Sequence, residues 1–177
     1  MGKLHELLES EAPNQDILDM YNYTKKLLAE SMKALFLSTL PNNCPTFHEV
    51  RTELAVKMKD QWGEHIPDRY LTVPYGSKTH ETLFAVLLQW IGKPVSADWL
   101  RFTTQDSVHT ERRTRELREL GLQIQTGKSS GADVYTLQSL MIDTAFVPSI
   151  IKNNLRMKHA SDQEKAEVLA ILGLENP

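Results

Sequence analysis

Apolar positions along the chain recur first with the period of a helix and later, briefly, with the period of a strand. From Ile17 to Leu40 the residues Ile17, Met20, Tyr21, Leu27, Leu28, Leu35 and Phe36 follow one stripe that stops at Pro41, Asn42 and Asn43, which predicts a long amphipathic helix. A second helix is predicted from Thr46, where Thr46 and Glu49 fit a capping box, with Phe47, Val50, Leu54 and Met58 on one side and Gly63 as terminator. After an extended piece over 69–74, the stretch Lys78 to Ile91 reads as helix with Leu83, Phe84, Leu87 and Ile91 inward, closed by Gly92 and Pro94. Ser96 then caps a short helix over 97–102.

A polar turn, Thr103 to Asp106, leads to Ser107 as the cap of a third helix in this group, which turns Val108, Thr114, Leu117 and Leu120 to the core and ends at Gly121. Beyond it the pattern changes to period two in 122–126 and again in 133–137, around a Gly/Ser-rich tip from Gly127 to Gly131, which predicts a hairpin. Pro148 interrupts an apolar stretch over 144–154, and Ser161 with Glu164 opens a last helix that Gly173 ends. Helix, short helix, turn, helix and two-stranded wing, over 79–138, is the order of a winged helix-turn-helix. The expected fold class is mainly α with a small β wing, a winged helix-turn-helix preceded by a helical N-terminal region. The expected divisions are a helical region over 1–70, the winged helix over 71–140 and a helical tail over 141–177.

Composition narrows the function classes. With 41% hydrophobic and 24% charged residues in 177, the chain has the make-up of small globular domains. The charged first residues lack the pattern of a secretory signal, and the longest apolar run, 83–88, is far short of the roughly 20 residues that span a bilayer. The single cysteine, Cys44, allows no intrachain disulfide and no four-cysteine metal site, so the default compartment is the cytoplasm. The six histidines are scattered, and neither a phosphate-binding glycine loop nor a Gly-x-Ser-x-Gly elbow occurs. No cofactor, metal site or catalytic residue is therefore expected. The tryptophans Trp62, Trp90 and Trp99 lie in apolar patterns and read as core.

The net charge of −3 is unevenly placed: residues 1–70 hold 8 Lys/Arg against 11 Asp/Glu, and the remainder 12 against 12. Five of those last twelve basic residues lie between Arg101 and Arg118. Near the start of the second helix of a helix-turn-helix, side chains reach base edges in the major groove, and an arginine fork matches guanine O6 and N7. Arg112 is the first choice for that contact, with Arg113 or Arg115 second, and His109, Thr104 and Gln105 stand at the same entering end. Arg101 suits phosphates, as do Lys128, Ser129 and Ser130 on the wing. Taken alone, the same run is a solvated face, because Glu111 with Arg115, Arg112 with Glu116 and Arg115 with Glu119 are all i, i+4 pairs. Two functions follow: sequence-specific binding of double-stranded DNA, or a protein-interaction scaffold whose arginines are paired off.

The segment Pro94–Leu137, with its arginine-rich helix running through RELRELG, the LQI strand and a small Gly/Ser wing before VYTL, resembles the winged-helix modules beside HNH nuclease domains in bacterial restriction-type endonucleases. The resemblance implies DNA recognition by Arg112, Arg113, Arg115 and Lys128. The helix SDQEKAEVLAILG is similar to the one that often leads into an HNH site, but the His-Asn-His metal centre that follows it there has no counterpart before Pro177. The resemblance thus implies a recognition part of a restriction-type endonuclease, or a related regulator, with a nuclease domain or subunit as partner and no cleavage by these residues. The helix over 17–40 is open to two roles, packing within the chain or pairing with a second copy.

Overall fold

The structure, a computed structural model, describes residues 2–10, 12–104 and 109–174. It divides into two units, Met1–Leu40 and Pro41–Pro177.

In the first unit, helix α1 (Gly2–Glu9) packs on helix α2 (Asn14–Ser38). The long helix expected from the apolar stripe is present. None of the described residues of either helix is buried, and Leu18, Tyr23, Leu27 and Leu35 are each at least 50% exposed. The stripe has no core to enter within this unit.

The second unit starts with α3 (Pro45–Trp62), one residue before the expected start. Pro45 occupies the first helical turn, where a missing N–H costs nothing, so Cys44 is the cap residue and the box between Thr46 and Glu49 does not form. The cap is supplied from a distance: the Cys44 N–H donates to the Glu81 carboxylate at 2.7 Å. That bond is the main reason the Glu81 carboxyl sits below its ordinary range, with Lys78 adding to it against the opposing effect of burial. The predicted face of α3, Phe47, Val50, Leu54 and Met58, is buried. Phe47 meets Phe84 of α4 (Lys78–Gln89) with ring centroids 5.3 Å apart. Each such side chain removed from water contributes roughly 1.5–3 kcal/mol. Residues 45–62 thus pack on the same core as α4, within one unit. Between the two helices Asp68–Tyr70 forms a 3-10 turn, and Arg51 of α3 donates to the carbonyls of Val73 and Pro74.

Helix α4 stops at Gln89, so Ile91 leaves the helical phase and is 41% exposed instead of joining the core with Leu83, Phe84 and Leu87. The chain turns at Gly92, whose N–H donates to the Leu137 carbonyl, and enters a short strand β1 (Val95–Ser96). Ser96 caps α5 (Ala97–Thr103) as expected, its Oγ accepting from the Trp99 N–H at 3.1 Å. The next helix, α6, spans Thr110–Glu119, with His109 before it at φ 81°. The expected cap Ser107, and Val108, lie outside the described residues.

The hairpin is longer and tighter than predicted. Strands β2 (Leu122–Ser129) and β3 (Ala132–Ile142) pair up to Ser129 and Ala132, so Gly127, Lys128 and Ser129 belong to a strand and the turn is only Ser130 and Gly131. Both turn residues have positive φ, 49° and 82°, the requirement of a two-residue turn that follows the strand twist. Strand β1 adds to the other edge of β3, giving a three-stranded antiparallel sheet in the order β1-β3-β2. The fold is mainly α with a small β wing.

Helix α7 (Val147–Met157) follows a 3-10 turn at Thr144–Phe146. Pro148 does not interrupt it. It stands in the first turn and starts the helix. Asn154, buried on α7, donates to the carbonyls of Tyr70 and Thr72 at 2.9 and 2.7 Å, which ties the segment before α4 to this helix. Helix α8 (Asp162–Ile171) carries the expected capping box of Ser161 and Glu164. Among the described residues no helix is long and apolar enough to cross a membrane.

Candidate nucleic-acid interface

Helix α6 turns Thr110, Thr114 and Leu117 inward at i, i+4 and i+7, the spacing that anchors one face of a helix. Leu120, just past its end, is also fully buried. Glu116, which sequence periodicity places away from the core, is buried as well, at 4% exposure. It is not stranded there. His80 of α4 stands opposite, Nε2 to Oε2 at 2.9 Å, while Arg112 Nε donates to Oε1 at 3.0 Å and Arg113 donates to Oε2 at 2.9 Å. On its other side the His80 ring takes Nδ1 to within 2.6 Å of the Ser77 hydroxyl.

The protonation states follow from this packing. Burial lowers the His80 pKa below its ordinary value, and the bond to Glu116 only partly offsets that. A neutral ring then donates from Nε2 to Glu116 and accepts the Ser77 proton at Nδ1. For Glu116, burial is the largest single effect and pushes its pKa up; the hydrogen bonds from His80, Arg113 and Arg112 together outweigh it, and the carboxyl lies below its ordinary range. One buried carboxylate therefore organises the first turns of α6.

The remaining cations have other partners. Arg101 reaches from α5 to Asp98 at 2.9 Å and to Glu111 at 2.7 Å, bridging α5 to the start of α6. Arg115 lies 3.9 Å from Glu119. Glu119 also accepts from the Tyr75 hydroxyl at 2.7 Å, and Tyr75 in turn accepts from Asn153 of α7. Burial and then the Glu119 contact push the Tyr75 hydroxyl up to about 12. Despite their partners, the Arg112 and Arg115 side chains are 61% and 60% exposed.

The expected contact residues fall into separate groups. Arg112, Arg113 and Arg115 share α6, and Arg101 joins them through Glu111. His109 is exposed just before the helix. Thr104 is turned inward, its hydroxyl 2.9 Å from the Leu100 carbonyl and 3.0 Å from the Thr110 hydroxyl. Gln105 lies outside the described residues. Lys128, Ser129 and Ser130 are exposed on the hairpin, where Lys128 faces Asp133 across the strands at 3.9 Å.

Sequence reading missed His80, whose signal is its place three residues after Ser77 at a helix start. It also missed the burial of Glu116, for which spacing gives no signal. Tyr75, at φ 60° between Pro74 and Gly76, was missed too. Among the described residues no group of three or more His, Cys, Asp or Glu is placed to hold a metal ion.

Residues 80–141, from the first turn of α4 to the penultimate residue of β3, match the family model of the KpnI N-terminal domain. That segment is related to a restriction-endonuclease domain. No curated protein and no solved structure matches the chain. The related segment contains Arg101, β1, all of α6 and all of the hairpin except Ile142.

Proposed function

We propose that this protein binds double-stranded DNA sequence-specifically through a winged helix-turn-helix, as the target-recognition part of a restriction-type endonuclease of the HNH kind or as a related regulator. In this reading α4 to α6 form the helix-turn-helix, α6 enters the major groove and the β2–β3 hairpin is the wing. The observation that carries it is the exposure of Arg112 and Arg115 on a helix whose opposite face is wholly buried, inside the segment related to a restriction-endonuclease domain. Arg112 is the base-reading residue, with Arg113 or Arg115 beside it, while Arg101, Lys128, Ser129 and Ser130 contact phosphates. The Arg115–Glu119 pair is exposed on both sides, and such pairs contribute only about 0–1 kcal/mol, so exchanging Glu119 for a base edge or phosphate costs little at Arg115.

Selection of bound duplexes from a random pool tests this. An enriched site containing guanine is expected, and Arg112→Ala should relax preference at one position by about 1–3 kcal/mol. A pool that stays random overturns sequence recognition.

A second reading has its own support. Arg112, Arg113 and Arg115 of α6 are paired with Glu116 and Glu119, as a scaffold with spent charges requires. Under that reading the same face docks a protein and duplex DNA is not retained at any salt concentration. We further propose that the exposed stripe of α2 pairs two copies, which doubles the DNA site as in other helix-turn-helix dimers.

A further inference from the structure

Beside α6 lies a cleft of about 790 Å³, bounded by Pro74 and Tyr75, by α6, and by α7 and α8. Five cations line it: Arg112 and Arg115 from α6, Lys152 and Arg156 from α7, and Lys165 from α8. Its two acids are Glu116 and Glu119. Both are already engaged, Glu116 by His80, Arg112 and Arg113, and Glu119 by Tyr75 with Arg115 at 3.9 Å. Lys165 is 3.0 Å from Asp162, which is fully exposed. Lys152 and Arg156 have no carboxylate partner among the described residues.

Arg156 is nonetheless held in place. It donates to Asn153 Oδ1 at 2.7 Å, and the Asn153 amide donates to Tyr75, whose hydroxyl donates to Glu119. This chain runs from α7 through the Pro74–Tyr75 segment to α6. It uses one donor of a guanidinium that has five, so the rest of the fork is free for an anion. A surplus of positive charge drawn from three helices, in a cleft that shares two arginines with the proposed recognition helix, fits a run of negative charge passing alongside that helix. Phe146, which lines the cleft and is 39% exposed, offers apolar surface to the sugars of such a strand.

We propose that the cleft seats the phosphodiester backbone of the DNA strand flanking the site read by α6, with Lys152 and Arg156 as its phosphate contacts. The inference rests on the DNA-binding reading above. Neither residue lies in the segment related to the restriction-endonuclease domain, so the interface extends beyond that segment onto α7.

The test compares the full chain with Lys152→Ala, Arg156→Ala, the double variant and the charge-keeping Arg156→Lys, by fluorescence anisotropy of labelled duplex over a range of salt. Each released contact lowers the slope of log affinity against log salt by about 0.9, which is roughly fivefold in affinity at 0.15 M salt. The double variant is expected to lose about twice that slope, equally on a selected and a random duplex, and Arg156→Lys is expected to restore its share. A double variant with the wild-type slope overturns the cleft proposal alone, as does a loss confined to the selected duplex. A wild type that binds no duplex at any salt overturns both this inference and the reading beneath it.

Discussion

At the scale of single residues the design turns on Glu116. Its carboxylate takes one ring N–H from His80 and the heads of two arginines, and removing it leaves a buried imidazole donor without a partner. Glu116→Ala is expected to destabilise the second unit by about 1–3 kcal/mol in urea unfolding, the cost of a stranded buried polar group; an unchanged midpoint would show that the cluster is dispensable. Acid should act on the same cluster. The folded pKa of His80 is lowered from its ordinary 6.5, so its contribution is complete above pH 6.5 and is lost as the unfolded imidazole takes up a proton below that. Glu116, lowered from 4.5, adds a second loss as pH falls below that value and through its folded pKa. Urea midpoints should therefore hold steady above pH 6.5 and decline in two stages on acidification, whereas a flat profile from pH 7.5 to 4 contradicts the assignment. The Arg112–Glu116 spacing was visible in the chain. The depth of Glu116 was not, because it depends on His80 arriving from another helix.

Among the elements, those whose local chemistry is self-contained were legible. Ser96 and Ser161 cap helices where the sequence placed them, and Gly121 stops α6 in the left-handed region at φ 83°. Elements defined by a distant partner were not: β1 is two residues long, with no alternation to read, and exists only because β3 pairs with it. The wing tip was misjudged for a related reason, since Gly127 to Ser129 look like loop residues until they find 132–134 opposite. The two glycines offer a contrast. A methyl group on Gly131 meets nothing within 4 Å, so Gly131→Ala should cost only the left-handed backbone, about 1 kcal/mol. On Gly121 it would come within 2.5 Å of the Asp143 carbonyl oxygen, and Gly121→Ala should cost about 2–4 kcal/mol. Equal shifts in thermal midpoint would contradict the close approach of 121 to 143.

For the whole molecule the sequence conveyed the fold class and the order of elements around the arginine helix, while the use of the long helix stayed open between two roles. Its apolar side chains find no burial in the first unit. If α2 pairs two copies, as proposed, the full chain should sediment as a dimer at micromolar concentration, and Leu27→Glu with Leu35→Glu should yield monomers; a wild-type monomer at those concentrations contradicts the pairing. The central claim, that α6 reads DNA, is tested most directly by titrating duplex DNA with the wild type and with Arg112→Ala/Arg115→Ala across a range of salt. Salt-dependent binding that the double substitution weakens at every concentration is the predicted result. A wild type that fails to bind even at low salt, or a variant that binds equally well, would contradict it.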